Sequence, residues 1–144
     1  MQQSNEVISI GQLRLRFMQT AESTNNEMVV FEFTIPPGAK VPVPHYHEKV
    51  DELVYGLEGT TTSTVNGQAI EVNPGDTLFI PKGATHHHDN RTQSLAKTLV
   101  VLTPATIGPA YFREMSELIK PGTPPDPQKA KEIMLRHGLV PAAS

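Results

Sequence analysis

Two histidines and a glutamate lie close together in HYHEKVDE, the stretch from His45 to Glu52. Side chains two residues apart on a β-strand point to the same face, so His45 and His47 can reach one point above a sheet. A glutamate that starts the next strand can meet them there, with EKVD as the connection. Neutral imidazoles and one carboxylate form a site for a divalent transition metal. An isolated H-x-H also occurs by chance, so this stretch alone leaves a surface role open.

A third imidazole is offered by GATHHHDN, from Gly83 to Asn90, which follows a predicted strand. Neighbouring residues of a strand point to opposite faces, so at most two of the three histidines can face inward. The same run is also compatible with a solvated loop. The residues by themselves leave open which histidine would complete a metal site.

The sequence around these stretches alternates between short strands and turns from about Ile8 to Leu102. MVVFEFTI, which ends at Ile35, is rich in β-branched and aromatic residues and is followed by Pro-Pro-Gly. Asn66-Gly67 stands between TTTSTV and QAIEV, and this dipeptide favours a two-residue hairpin turn. Many short strands at regular spacing predict an all-β sandwich or barrel.

The pattern changes after about residue 110, which divides the chain into a barrel domain, 1–110, and a tail, 111–144. The tail contains two stretches with apolar residues at helical spacing, joined by a proline-rich connector. Asp126 stands at an N-cap position before Pro127, and Gly138 follows the last turn. The apolar stripe that includes Ile133 and Met134 predicts a helix packed on the barrel or on a partner subunit.

The composition excludes several classes of protein. The chain has 144 residues, 12 basic and 15 acidic, which gives a net charge of -3 and no basic patch of the kind that binds nucleic acid. No apolar run is long enough for a membrane span, and the start of the chain lacks a signal-peptide pattern. Because there is no cysteine, a metal would have nitrogen and oxygen ligands, and we expect a cytoplasmic location.

The two histidine stretches resemble the two sequence motifs of the cupins, in the right order and at a short separation. The resemblance spans roughly Ser23 to Leu102. The matching positions are Gly38, His45, His47, Glu52 and Gly59 for the first motif, and Gly75, Pro81, Gly83, His86 and Asn90 for the second.

The resemblance implies an all-β fold, the double-stranded β-helix or jelly-roll barrel, with a short C-terminal helical extension. It also implies that His45, His47, Glu52 and His86 bind one divalent metal: iron, manganese, nickel, copper or zinc. Glu52 is preferred to its neighbour Asp51 because only Glu52 is separated from Gly59 by the six residues that the motif has there.

His88 would share the inward face with His86 if the strand continues, and would then support the site or face a substrate. His87 would point away from it. Phe33, Val54 and Phe79 are expected to surround the metal, although filling the core is the favoured role for the strand aromatics Tyr55 and Phe79.

The resemblance points to a small bacterial single-domain cupin of the quercetinase-like kind, and so to a metal-dependent dioxygenase acting on a small organic substrate. Glu52 would then be a candidate general base. The alternatives are a cupin that binds a small molecule without turning it over and, ranked last, a sugar isomerase. We expect a homodimer by the same resemblance, because exposed strand edges favour pairing with another chain.

Overall fold

Two antiparallel sheets and two helices make up residues 6–41, 43–122 and 124–142, the part of the chain that the computed structural model describes. The elements are β1 (Val7–Ile10), β2 (Leu13–Gln19), β3 (Val29–Ile35), β4 (His45–His47), β5 (Asp51–Glu58), β6 (Thr61–Val65), β7 (Gln68–Val72), β8 (Thr77–Ile80), β9 (His86–Asp89), β10 (Ala96–Thr103), α1 (Pro109–Leu118), α2 (Pro127–Arg136) and β11 (Leu139–Pro141). One sheet has the order β1-β2-β3-β10-β5-β8 and the other β11-β4-β9-β6-β7. This architecture confirms the predicted jelly-roll barrel with a C-terminal helical part.

The inner face of the larger sheet forms most of the core. Every second residue from Val29 to Ile35 and from Ala96 to Leu102 is buried, as the period of a half-buried strand requires. The ring centroid of Phe31 lies 5.3 Å from that of Phe17 and 5.5 Å from that of Phe112, a residue in the first half of α1. The barrel core therefore continues into the C-terminal helical part.

The Asn66-Gly67 hairpin is present as predicted. Both residues have positive φ, 49° for Asn66 and 84° for Gly67, and β6 and β7 pair directly on either side of them. These backbone angles match the sharp two-residue turn that joins antiparallel strands. On its other side β6 pairs with β9, one of the two histidine strands.

The second helix has the predicted ends. The Asp126 carboxylate accepts hydrogen bonds from the backbone N–H groups of Gln128 and Lys129, and Gly138 follows the helix with φ +86°. Met134 is buried in the core of its own chain and Ile133 packs against that core. Their apolar stripe is therefore covered without a partner subunit.

The strand β11 was not anticipated from the sequence. It pairs antiparallel with β4, with Leu139 opposite His47 and Pro141 opposite His45. A three-residue strand containing proline carries too little periodicity to be recognised from its composition. Its effect is to hold the first histidine strand from the side opposite β9.

The expected core role of Tyr55 and Phe79 is wrong. The inward residues of β5 are Glu52, Val54 and Gly56, so Tyr55 points outward and is 39% exposed. Phe79 on the edge strand β8 is also outward and is 58% exposed. Whether each side chain points inward depends on which face of its strand is buried, and the composition of such short segments does not determine that face.

Candidate metal centre

The two sheets bring four histidines and one glutamate together. His45 and His47 lie on β4, His86 and His88 lie on β9, and His45 is directly paired with His86. Glu52 reaches them from β5 in the other sheet. His87, between the two inward histidines of β9, lies on the opposite face and is only half-buried, as the alternation predicts.

The nitrogen and oxygen atoms form two groups that share His86, and each group is compact enough to hold an ion. Glu52 Oε1 lies 3.4 Å from His86 Nε2 and 4.0 Å from His47 Nε2. Two ligand atoms about 2.1 Å from one ion lie roughly 3.0 to 3.4 Å apart at octahedral to tetrahedral angles, and farther apart at wider ones. The ligand atoms of His45, His47 and His86 lie within 4.8 Å of one another, as do those of Glu52, His86 and His88. The donor set fits a divalent transition metal.

Two backbone carbonyls orient the imidazoles. His45 Nδ1 is 2.8 Å from the Val43 carbonyl oxygen, and His86 Nδ1 is 2.9 Å from the Ala84 carbonyl oxygen. A carbonyl only accepts hydrogen bonds, so Nδ1 carries a proton in both rings and Nε2 is the ring nitrogen left to meet a metal. Such contacts fix the tautomer in metal-binding histidines generally.

Burial keeps the first two imidazoles neutral. The pKa of His45 is lowered to about 3 and that of His47 to about 4, chiefly by burial and in smaller part by neighbouring histidines, while the Glu52 carboxylate acts in the opposite direction. Both rings are therefore uncharged at neutral pH, which is the form that binds a metal.

Glu52 and His86 polarise each other. Burial by itself would raise the pKa of Glu52, but the charge and hydrogen bonds of His86 and His88 outweigh it and lower that pKa well below its usual range. Burial would likewise lower the pKa of His86, yet the Glu52 carboxylate raises it. A buried carboxylate of this kind requires positive charge beside it, which a bound cation would also supply.

The side-chain contacts of His88 differ from those of His45, His47 and His86. Its Nε2 is 3.0 Å from Glu52 Oε2, and its Nδ1 is 2.8 Å from Ser63 Oγ. Sequence reasoning pointed to His88 by strand parity but missed Ser63. The run TTTSTV gives no sign of which hydroxyl meets a histidine, since that depends on the pairing of β6 with β9.

Two other motif positions have structural roles. The Asn90 side chain donates to the carbonyl oxygens of Ile35 at 2.8 Å and Ser94 at 2.7 Å, and so ties the end of β9 to neighbouring chain segments. Gly59 has φ +63°, and a Cβ atom there would lie 2.3 Å from the Leu95 carbonyl oxygen. Neither residue reaches the histidine cluster, so both act on the shape of the barrel.

An apolar cavity of about 80 Å³ adjoins the cluster. It is lined by His45, His47, Glu52, His86 and His88 together with Ile10, Leu13, Leu15, Phe31, Phe33, Val41, Val100, Leu102, Ile107, Tyr111, Phe112, Met115, Ile119 and Leu139. Phe33 is beside the site as expected. The expectation for Val54 and Phe79 is wrong, because Val54 belongs to a separate small cluster with Ile80 and Phe79 is on the outer surface.

The C-terminal part supplies a wall of this cavity that sequence reasoning did not locate. Tyr111, Phe112 and Met115 come from α1 and Leu139 from β11. The apolar spacing of YFREM indicated a buried helix face, but only the three-dimensional packing shows what that face covers. Among the described residues that line the cavity there is no lysine or arginine.

Comparison with known proteins agrees with this fold. The family model described as "Cupin domain" matches residues 31–102. The quercetin 2,3-dioxygenase of Bacillus subtilis is 32% identical over 102 residues, which cover 71% of this chain and 29% of that protein. The chain spans about half the length of the other curated relatives it matches.

Solved structures show the same barrel. A protein from Silicibacter pomeroyi described as a sugar phosphate isomerase from a cupin superfamily superposes with a TM-score of 0.56 and 29% identity, covering 63% of this chain and 59% of that one. A predicted oxalate decarboxylase from Thermotoga maritima gives a TM-score of 0.63 at 24% identity, covering 72% and 94%, and shows the fold alone. None of the helices in the described residues has the length and apolar character needed to cross a bilayer.

Proposed function

Because the chain belongs to the cupin domain family, we propose that it binds one divalent transition metal and acts as a dioxygenase on a small organic substrate. His45, His47, His86 and Glu52 would be the ligands. The observation that carries the proposal is the cluster of imidazole nitrogens and one buried carboxylate that adjoins an apolar cavity. The 32% sequence identity with a quercetin 2,3-dioxygenase, over 71% of this chain, supports the choice of reaction.

The residues of the chain have separate roles in this proposal. The metal, when bound, would supply Lewis acidity and redox chemistry at its open positions. The apolar walls, including Phe31 and Phe33, would exclude water and hold a planar ligand. Glu52 would be the candidate general base for an acidic hydroxyl of the substrate, because its carboxylate is ionised, buried and on the wall of the cavity.

The size of the cavity limits the substrate. About 80 Å³ is less than the roughly 150 Å³ of an apolar cavity that holds benzene. An aromatic substrate therefore requires side chains of the cavity wall to move. Phe112 and Met115 are the candidates, since they come from α1 rather than from the barrel strands.

A binding protein without turnover is the second candidate, since the same cavity would hold an apolar ligand whether or not it reacts. A sugar phosphate isomerase is disfavoured. Phosphate recognition in proteins relies on arginine and lysine, and the described residues around the cavity include neither. The likeness to a protein described as a sugar phosphate isomerase rests on the barrel.

We also propose a homodimer in the cytoplasm. The helix stripe with Met134 no longer supports a dimer, because the barrel of its own chain covers it. Support comes instead from the outer face of the larger sheet, where Leu53, Tyr55, Leu57 and Phe79 are exposed near the edge strand β8. A monomeric mass by light scattering at micromolar concentration would rule the dimer out.

The reaction is tested by loading metal-free protein separately with iron, manganese, nickel, copper and zinc. Oxygen uptake is then followed with an electrode against flavonols, catechols and keto acids. We expect uptake with a redox-active metal and none with zinc, which does not change its oxidation state. If a compound binds and is recovered unchanged with every metal, the protein is a binding module.

A further inference from the structure

We propose that His88 and Ser63 are positioning residues that hold Glu52 for metal binding, and that His88 is not a ligand itself. The inference rests on the metal site proposed above. It comes from a chain of three buried side chains, in which Ser63 contacts His88 and His88 contacts Glu52.

The two oxygens of the Glu52 carboxylate have different neighbours. Oε2 lies 3.0 Å from His88 Nε2, whereas Oε1 faces His86 Nε2 at 3.4 Å and His47 Nε2 at 4.0 Å. The carboxylate is thus held at one oxygen, and the other is turned toward His86 and His47. This division suits binding of the metal through Oε1 alone.

The direction of the hydrogen bonds follows from the carboxylate. An ionised carboxylate only accepts, so His88 Nε2 carries a proton and donates it to Oε2. In a neutral His88 the Nδ1 atom is then the acceptor, and the Ser63 hydroxyl donates to it at 2.8 Å. Both ring nitrogens of His88 are thus engaged, by Glu52 and by Ser63, whereas the ligand atoms of His45, His47 and His86 form a group within 4.8 Å of one another, and we assign the third imidazole to His45.

The packing gives this chain of contacts a fixed geometry. Ser63 and His88 are directly opposite each other on β6 and β9, while Glu52 belongs to the other sheet. Ser63 is 0% exposed, Glu52 5% and His88 6%, so removing one partner leaves a buried polar group without its hydrogen bond. The Phe33 ring meets the His88 ring edge-on, at 6.4 Å between centroids, and restrains its rotation.

The test uses full-length protein loaded with Co²⁺, and measures affinity by chelator competition and coordination by the visible spectrum. We expect His88→Ala to weaken Co²⁺ binding about 10- to 100-fold and to change the spectrum, because Glu52 loses its orienting donor. His88→Gln should recover most of the affinity, since its amide can donate to Oε2. Ser63→Ala should weaken binding less than His88→Ala, and His87→Ala should leave affinity and spectrum unchanged.

The outcomes separate the two proposals. If wild-type protein does not bind Co²⁺, the metal site itself is refuted and this inference with it. If the wild type binds and His88→Ala keeps the wild-type affinity and spectrum, the positioning role alone is wrong. If His88→Gln loses Co²⁺ as completely as His86→Ala does, His88 is a ligand and not a positioning residue. Should His88→Ala fail to fold, the Gln and Ser63→Ala variants carry the test.

Discussion

The interior of the barrel contains two regions with opposite chemistry. One is the large apolar cluster around the cavity, which includes Phe17 and Phe31 and continues into the C-terminal helices. The other is the buried polar region on strands β6 and β9, which contains Thr61, Ser63, His86 and His88. The histidines and Glu52 lie where the two regions meet, because they line the cavity and are connected to Ser63 through His88.

The difference shows how stability and function are divided within one barrel. Apolar side chains stabilise the large cluster by burial, which depends on area and shape and little on direction. Buried hydroxyls and imidazoles stabilise the fold only when each finds a partner, so their positions are far more specific. We therefore expect substitutions in the first region to change stability, and substitutions among the polar residues to change metal binding.

The largest expected effect is on stability. Phe17→Ala should lower the free energy of unfolding by about 3–5 kcal/mol, because Phe17 is 0% exposed and its ring packs against Phe31 and Phe112. Urea denaturation monitored by circular dichroism measures this change. Phe79→Ala is the matched control, and its expected effect is within about 0.5 kcal/mol since Phe79 is 58% exposed. Equal losses from the two substitutions would contradict the assignment of the apolar core.

The next effect is on metal content. His47→Ala should lower the metal bound after purification sharply, by about 100-fold in affinity, because it would remove one of the proposed ligands on β4, the strand between β11 and β9. Metal analysis by mass spectrometry, with His87→Ala as the control, measures it. Comparable losses in both variants would mean that the ligand assignment on the histidine strands is wrong.

A smaller effect is expected from pH. Metal binding needs a neutral Nε2, so affinity is complete above the pKa of a ligand histidine and falls as the pH drops through it. Because Glu52 raises the pKa of His86, the fall should begin at or above the ordinary imidazole range, at about tenfold per pH unit. His45 and His47, with pKa values of about 3 and 4, should not add to it until far lower pH. Titration of Co²⁺ affinity between pH 8 and 5 checks this, and a flat profile would disprove it.

The smallest effect sharpens the contrast within the polar region. Thr61 is 1% exposed, and its hydroxyl has no hydrogen-bond partner among the residues that the structure describes. Thr61→Val keeps the shape and removes the unpaired group, so it should raise the free energy of unfolding by up to about 1 kcal/mol. Ser63→Ala, at a hydroxyl that has a partner, should not stabilise the protein. Chemical denaturation of both variants distinguishes the two cases.

Much of the barrel was predictable because its signals are local. The Asn66-Gly67 turn, the Asp126 cap and the alternation around His86 each depend on a few neighbouring residues, and the structure has all three. The predicted ligands come together in space, although their binding of a metal stays a prediction.

The remaining features depend on contacts between distant segments. Tyr55 and Phe79 were misplaced because their composition does not reveal which face of the strand is inward. The contact between Ser63 and His88 follows from the register of β6 against β9, and the α1 wall of the cavity follows from packing. The hydrophobic periodicity of a single segment cannot predict contacts between distant segments of this kind.

The pairing of β11 with β4 has a consequence for the order of folding. Leu139 meets His47 and Pro141 meets His45, so the first histidine strand is completed by residues very distant along the chain. Closing so long a loop is entropically costly and tends to occur late. We therefore expect the barrel to gain its secondary structure before it gains metal affinity. In a refolding experiment with Co²⁺ present, the cobalt absorbance should lag behind the far-ultraviolet circular dichroism signal, and simultaneous recovery would show that β11 docks early.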